Sequence, residues 1–293
     1  MPDLAVVYLV PKEEPQARSF LDVYRGLDPG VDHQLILIAN RWTGGIATWM
    51  KRLADEAHAP LLDVTSTNFD IDAYRAAAAM LEHDLLCLLN SYSRPLVDRW
   101  LALLTSHIAS PSVGAVAATG SWESHLSAYG KGIPGTRAFG KEPLARSLRG
   151  LVNIVRLPFD YPPFPNYHLR SNAFAIARDL FVRLAPSVLK SKAQAERYES
   201  GRRGLSAGIK ASELSILVAG RDGRAYEPSE FRRSHTFRIG QQCNLIVADN
   251  RTADYAEADP AKRGYLRELA WGESSDDQCP RCEERKAEPG VPT

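Results

Sequence analysis

His168, Arg170 and Asn172 recur at every second position where the chain leaves a proline-dense stretch, Leu157-Pro-Phe-Asp-Tyr-Pro-Pro-Phe-Pro165. In an extended strand this spacing projects all three side chains from one face, so an imidazole, a guanidinium and an amide could converge on a phosphate or an acceptor group. A solvated strand face would carry the same residues. A second polar set, Asn90-Ser-Tyr-Ser93, follows the unbroken apolar run 85–89 and leads into Pro95. Such a run fits a strand covered on both faces, and the C-terminal ends of strands are where open α/β sheets bind ligands. A third set, Glu196 and Glu199, stands before Ser200-Gly-Arg-Arg203-Gly-Leu, which reads as a helix start. Solvated helix faces also look like this, and their surface pairs contribute at most ~1 kcal/mol each.

The elements that must position these groups alternate along the chain. Strand-like runs are expected at 5–11, 34–39 (ending at Asn40), 61–64, 85–89 and 113–118. Between them fall helical patterns. Residues 15–27 place Phe20, Leu21, Tyr24 and Leu27 at helical spacing; a segment opened by Thr43-Gly-Gly runs through Trp49, Met50 and Leu53; and 74–81 is alanine-rich. Asp70-Ile-Asp72 precedes that last helix and reads as its cap. Residues 95–108 read as one Pro95-led helix, with Leu96, Trp100, Leu103 and Leu104 on one face. Alternation of this kind predicts an α/β fold with a mostly parallel central sheet flanked by helices.

After Glu123 the alternation breaks. Residues 125–168 are expected to form an insert or lid, with a helix over 143–155 and mobility over 137–165 in the absence of ligand. Strands follow at 171–178, 215–219 and 244–247, helical stretches at 179–184 and 192–211, and a turn at Arg221-Asp-Gly-Arg224. One domain over 1–273 and a disordered polar tail over 274–293 are expected.

Composition narrows the function classes. The 293-residue chain carries a formal net charge of +1, which gives no broad cationic footprint for nucleic acid. No apolar run approaches the roughly 20 residues needed to span a bilayer, and the N-terminus lacks the pattern of a secretory signal, so a cytoplasmic location is expected. A peripheral membrane contact stays open, because Lys141, Arg146, Arg149 and Arg156 interleave with Leu144, Leu148, Leu151 and Ile154. Cys87 and Cys243 read as buried hydrophobes. Cys279 and Cys282 form one Cys-x-x-Cys, two ligands where a structural zinc takes four.

This layout of successive strand-helix units, with a helix feeding an apolar strand that ends in a polar tip, resembles the GT-A-fold glycosyltransferases of the family 2 type, Rossmann-like enzymes that use nucleoside-diphospho-sugars. The resemblance implies transfer of a sugar from such a donor to a glycan or lipid-linked acceptor. In the family the strand tip carries Asp-x-Asp, whose carboxylates hold Mn²⁺ or Mg²⁺ against the diphosphate; here the tip is Asn90-Ser91-Tyr92-Ser93, whose neutral oxygens disfavour a divalent cation. By the same resemblance the donor lies along Pro11, Asn40, Asn90, Ser91 and Tyr92. Asn40 takes the place of an acidic residue that reads the nucleoside, and Arg202 and Arg203 meet the diphosphate charge. Glu199 is implied as the general base. Trp122 and Glu123 could stack on and hydrogen-bond an acceptor beside His168, Arg170 and Asn172. Two alternatives remain open: a member of the fold that has lost catalysis and serves in binding or assembly, and another nucleotide-using α/β transferase. The chain lacks both Gly-x-Gly-x-x-Gly after its first strand and a P-loop.

Overall fold

The computed structural model describes residues 3–40, 46–64, 70–130, 156–185, 189 and 191–273. The expected helix at 143–155, the Thr43-Gly-Gly segment, the Cys279/Cys282 pair and the expected tail lie outside the described residues, as does most of the expected lid.

The first half follows the alternation closely. In order come β1 (Leu4–Leu9), α1 (Glu14–Gly26), β2 (Gln34–Asn40), α2 (Thr48–Ala57), β3 (Leu61–Val64), α3 (Asp70–Met80) and β4 (Leu85–Leu89). Then follow β5 (Arg94–Pro95), α4 (Trp100–Thr105), β6 (Val113–Ala117), β7 (Gly120–Ser121) and α5 (His125–Gly130). The second half holds β8 (His168–Leu169), β9 (Ala173–Ala177), α6 (Arg178–Leu184), α7 (Lys192–Ser200), α8 (Leu205–Ala211), β10 (Ser215–Ala219) and β11 (Ala225–Tyr226). A 3-10 turn (Pro228–Ser234), β12 (Val247–Ala248), α9 (Asn250–Glu257) and α10 (Pro260–Trp271) close the fold.

Eight strands form one sheet in the order β11-β10-β6-β9-β4-β1-β2-β3. β9 runs antiparallel to both β4 and β6, and β11 runs antiparallel to β10; the other pairings are parallel. Successive residues of each strand point to opposite faces, which divides the core in two. One face packs Val7, Ile38, Leu86 and Leu88 with Tyr74, Phe181 and Ile209. The other packs Val6, Tyr8, Cys87 and Leu89 with Phe20, Leu21, Met50 and Trp100. The continuous apolar run of β4 is therefore buried at every position. Of the two cysteines read as buried, Cys87 is buried and Cys243 only partly so.

Three expectations need correction. Residues 95–108 are not one helix: Pro95 pairs with Val247 in an antiparallel bridge, the Leu96 N–H donates to the Ile246 carbonyl, and helix begins only at Trp100 after Arg99 in a left-handed conformation (φ 61°). Leu96 consequently faces outward, at 39% exposure, while Trp100, Leu101 and Leu104 are buried. The stretch 192–211 is two helices broken at Gly201–Gly204. A Cβ on Gly201 would lie 2.9 Å from the Asp160 carbonyl and still closer to that of Arg197, and one on Gly204 would press on the Tyr198 carbonyl, so only glycine lets the chain turn this tightly after Glu199. The late strand is Val247–Ala248, displaced from 244–247 because the Asn244 side chain is used in the turn after β10, accepting from the Asp222 N–H at 2.9 Å and donating to the Ser234 carbonyl at 2.9 Å.

Candidate functional site

From β1 the chain proceeds outward to β2 and β3, then crosses back to β4 on the other side, so the crevice between β1 and β4 is the topological switch point. A pocket of about 360 Å³ opens there, between Tyr8 and Gln16 on one side and Ser91 to Arg94, Asp249 and Asn250 on the other. Tyr8 stacks on Phe20 with ring centroids 3.6 Å apart. Its hydroxyl and the Gln16 amide both donate to the Ser91 carbonyl, at 3.3 and 2.7 Å. The β4 tip is thereby tied to β1 and α1. Within the tip, Asn90 Oδ1 accepts from the Tyr92 N–H at 2.9 Å and the Ser93 hydroxyl at 3.1 Å, a local Asx-type turn. The Asn90 oxygen is thus engaged in shaping the tip, while Tyr92, 54% exposed, presents a ring to the pocket.

Behind the tip lies a buried ion pair. Arg170 Nη2 donates to Asp249 Oδ2 at 2.8 Å, with the side chains 13% and 1% exposed. Asp249 also caps α9 through a reciprocal capping box with Thr252. Burial alone would raise the Asp249 carboxyl; the Arg170 charge and the Arg170 and Thr252 hydrogen bonds hold it below its ordinary value. Asp249 lines the switch-point pocket, and its partner Arg170 lines a second, smaller and more polar pocket of about 130 Å³. The two pockets therefore meet at this pair.

The second pocket collects Glu123, His168, Glu196, Glu199 and three arginines, Arg170, Arg238 and Arg251. Glu199, in the last turn of α7, accepts from the Ser171 N–H and hydroxyl, both at 3.0 Å on Oε1. Burial pushes this carboxyl up, but Arg170 and the two Ser171 bonds leave it below the usual carboxylate range. His168 is buried, and its Nδ1 lies 2.8 Å from the Asn166 carbonyl. A carbonyl only accepts, so Nδ1 carries the proton and the neutral ring keeps its lone pair on Nε2. Burial holds the His168 pKa below its ordinary value.

One group read from sequence as a cap belongs to this electrostatic cluster. Asp70, at the start of α3, is pushed up to about 6 by burial and then by the charge of Glu199. Nothing in the spacing of Asp70-Ile-Asp72 reveals that the α3 N-terminus meets the end of α7. Its neighbour Asp72 is structural, both carboxylate oxygens accepting from the Leu189 N–H at 3.0 and 3.1 Å.

Other expected site residues are placed apart. Asn172 is buried behind the tip, its Oδ1 accepting from the Thr119 hydroxyl at 2.6 Å, so two of the three alternating residues, His168 and Arg170, reach the polar pocket. Trp122 is held structurally: its indole donates to the Pro228 carbonyl at 2.8 Å and meets Trp271 edge-on at 5.4 Å. Pro11 is buried outside the switch-point pocket. Asn40 ends β2, with residues 41–45 beyond it outside the described set. Arg202 donates to the Pro158 carbonyl at 2.9 Å and lines a third pocket of about 250 Å³ that shares Glu199 and His168 with the second; Arg203 is exposed outside all three. Arg238 and Arg251 were invisible to motif reading, because they come from a loop and from a helix start with no patterned spacing.

No family model and no curated protein matches the chain. Among solved structures it is similar to the mannosyltransferase PcManGT from Pyrobaculum calidifontis in complex with GDP-Man and Mn²⁺, at 16% identity and a TM-score of 0.48, over 92% of this chain and 72% of that one. It is also similar to glucosyl-3-phosphoglycerate synthase from Mycobacterium tuberculosis in complex with Mn²⁺, UDP and phosphoglyceric acid, at 17% identity and a TM-score of 0.37, over 61% of this chain. The chain spans 57% of that synthase's length. At these scores the fold rests on the sheet order itself: a mixed α/β fold with a large, mostly parallel sheet between helices. No helix among the described residues is long and apolar enough to cross a membrane.

Proposed function

We propose that this chain is a GT-A-like glycosyltransferase that moves a sugar from a nucleoside diphosphate donor to a hydroxyl of a glycan or lipid-linked acceptor. The observation that carries this reading is the junction of two pockets at the Arg170–Asp249 pair, one at the switch point beside an exposed aromatic ring and the other holding the Glu199 carboxylate. The nucleoside lies against Tyr92, with Ser91 and the Asn90 turn shaping the floor. The diphosphate extends toward Arg170. The acceptor hydroxyl enters beside Glu199, its oxygen attacks the anomeric carbon, the bond from that carbon to the diphosphate breaks, and the proton passes to Glu199. Both Ser171 bonds fall on Oε1, which leaves Oε2 as the accepting atom. Glu123 and His168 flank the acceptor, and Asp70 senses the charge of Glu199.

The donor set at the tip does not fit a hard divalent cation. Asn90 Oδ1 already accepts two hydrogen bonds, and the Asp249 oxygens serve Arg170 and Thr252. Guanidinium groups therefore meet the leaving-group charge in this reading, Arg170 first and Arg202 from the neighbouring pocket. Transfer from nucleotide sugars to an oligosaccharide or lipid-linked acceptor, measured with and without EDTA, is expected to show turnover that EDTA leaves within about twofold of its starting value. Loss of turnover in EDTA with rescue by Mn²⁺ would contradict the metal-free half, and nucleotide binding without any turnover would make the chain a binding protein on this fold.

A further inference from the structure

Phe237 carries a guanidinium on either count of distance: the Cζ of Arg170 lies 4.2 Å from its ring centroid and that of Arg238 lies 4.9 Å away. Two like charges sharing one ring in a poorly hydrated site repel unless each has an anion. Arg170 has one, Asp249, at hydrogen-bond distance. Arg238 does not. It is 3% exposed, its nearest carboxylate is Glu123 at 3.6 Å, and its Nε has no hydrogen-bond partner. Arg251, from the first turn of α9, adds a third guanidinium to the same pocket and is exposed. The carboxylates across the pocket are otherwise engaged, Glu199 with Ser171 and Glu196 with Lys192 at 3.7 Å.

The backbone holds this arrangement against its own preference. Arg238 and Gln242 are non-glycine residues in the left-handed region, at φ 46° and 52°, with Gly240 between them at 52°. The loop is pinned by three bonds: the Arg238 N–H donates to Gln242 Oε1 at 3.0 Å, the Gln242 amide donates to the Thr252 carbonyl at 2.9 Å, and the Trp271 indole donates to the Phe237 carbonyl at 2.8 Å. Backbone strain that the surroundings over-determine is characteristic of ligand clamps. The Gln242 bridge also ties the Arg238 loop to the backbone of the helix that carries Arg251, so the two residues are held side by side on one pocket.

We propose that Arg238 and Arg251, beside the Arg170 that serves the donor diphosphate, form a subsite for an oxyanion group, phosphate-like in charge and size, carried by the acceptor. This deepens the glycosyltransferase reading and rests on it for the word acceptor; the anion site itself stands on the arginines alone. The pocket is then polarised, with cations gathered around Phe237 at one end and Glu199 at the other, so a substrate anchored by its anion would present a neighbouring hydroxyl to the base. Selection of an anionic over a neutral acceptor follows.

Inorganic phosphate titrated into the full chain by calorimetry tests the subsite, with and without a saturating panel of uridine, guanosine and thymidine diphosphates. Phosphate is expected to bind wild type, to bind at least 10-fold more weakly to Arg251→Ala, whose exposed side chain makes it the safe variant for folding, and to weaken likewise in Arg238→Lys, which keeps the charge but loses the planar fork. Binding should persist when nucleoside diphosphate is present. Phosphate binding unchanged in both variants would overturn the subsite, as would no binding to wild type at tens of millimolar. Displacement of phosphate by nucleoside diphosphate would assign the arginines to the donor and overturn the acceptor assignment. Failure of every nucleotide to bind, with phosphate binding intact, would instead sink the glycosyltransferase reading and leave the anion site standing.

Discussion

Glu199→Gln is expected to lower turnover by roughly 10²-fold or more while nucleoside diphosphate affinity stays within about twofold of wild type. The substitution preserves the length of the side chain and an oxygen for the Ser171 N–H and hydroxyl, so the junction between α7 and the 170–172 segment is kept. What it removes is the capacity to take a proton. Steady-state turnover set beside calorimetric nucleotide binding separates these two roles. A Gln variant as active as wild type would exclude Glu199 as the base and direct attention to Glu123 and Glu196, the other glutamates of the same pocket. A variant that loses nucleotide binding and turnover together would show that the carboxylate builds the site rather than performing its proton transfer.

The second large effect concerns stability. Asp249→Ala should destabilise the fold by about 3–5 kcal/mol, because it strands the Arg170 guanidinium, only 13% exposed, and removes the cap of α9. Asp249→Asn keeps an oxygen for Thr252 and isolates the ion-pair share of the loss. The pH dependence has a definite sign. The Asp249 pKa is depressed in the folded protein, so its contribution is complete above its unfolded value, near 4, and is lost as pH falls through the folded value. Urea unfolding midpoints at pH 7, at about pH 4 and at about pH 2 would test both points, with the loss expected between the last two. A change below ~1 kcal/mol in the Ala variant would mean that the pair is solvated in solution.

The fold was largely legible because its signals are local. The unbroken apolar run at 85–89 announces a strand buried on both faces, and the spacing of Ala17, Phe20 and Leu21 announces a helix face. Strand order is not local. The antiparallel insertion of β9 between β4 and β6 depends on pairing residues such as Cys87 and Ala175, far apart in sequence, that no periodicity connects. The Pro95-led helix failed for the same reason, since a distant partner, Val247, captures the Pro95 backbone before a helix can start.

The candidate site divided along the same line. The tip Asn90–Ser93 was legible because it closes a recognisable strand, whereas Glu199 was named through the family resemblance, the helix end that places it at the pocket not being marked in the expected single stretch 192–211. Arg238 was not legible, since its burial, its stacking on Phe237 and its left-handed backbone all arise from a loop pinned by Gln242 and Trp271. Arg202 and Arg203 attracted notice as an adjacent basic pair, yet the turn at Gly201–Gly204 sends Arg203 outward, and the positive charge of the polar pocket comes from Arg170, Arg238 and Arg251. Asp70 read as a cap because capping is what an aspartate at a helix start does most often. Its proximity to Glu199 is a tertiary fact.

Nucleoside diphosphate binding at the switch point is the most direct test, and hydrogen exchange reports both occupancy and place. With uridine, guanosine and thymidine diphosphates offered in turn at millimolar concentration, at least one is expected to slow exchange at the amides of Ser91 to Arg94 and of Asn250 to Ala253, the two segments that line the pocket between β1 and β4. At about 100 times its dissociation constant the same ligand should stabilise the fold by about 2.7 kcal/mol. Unchanged exchange in both segments with all three nucleotides, or protection confined to a different edge of the sheet, would contradict the donor site.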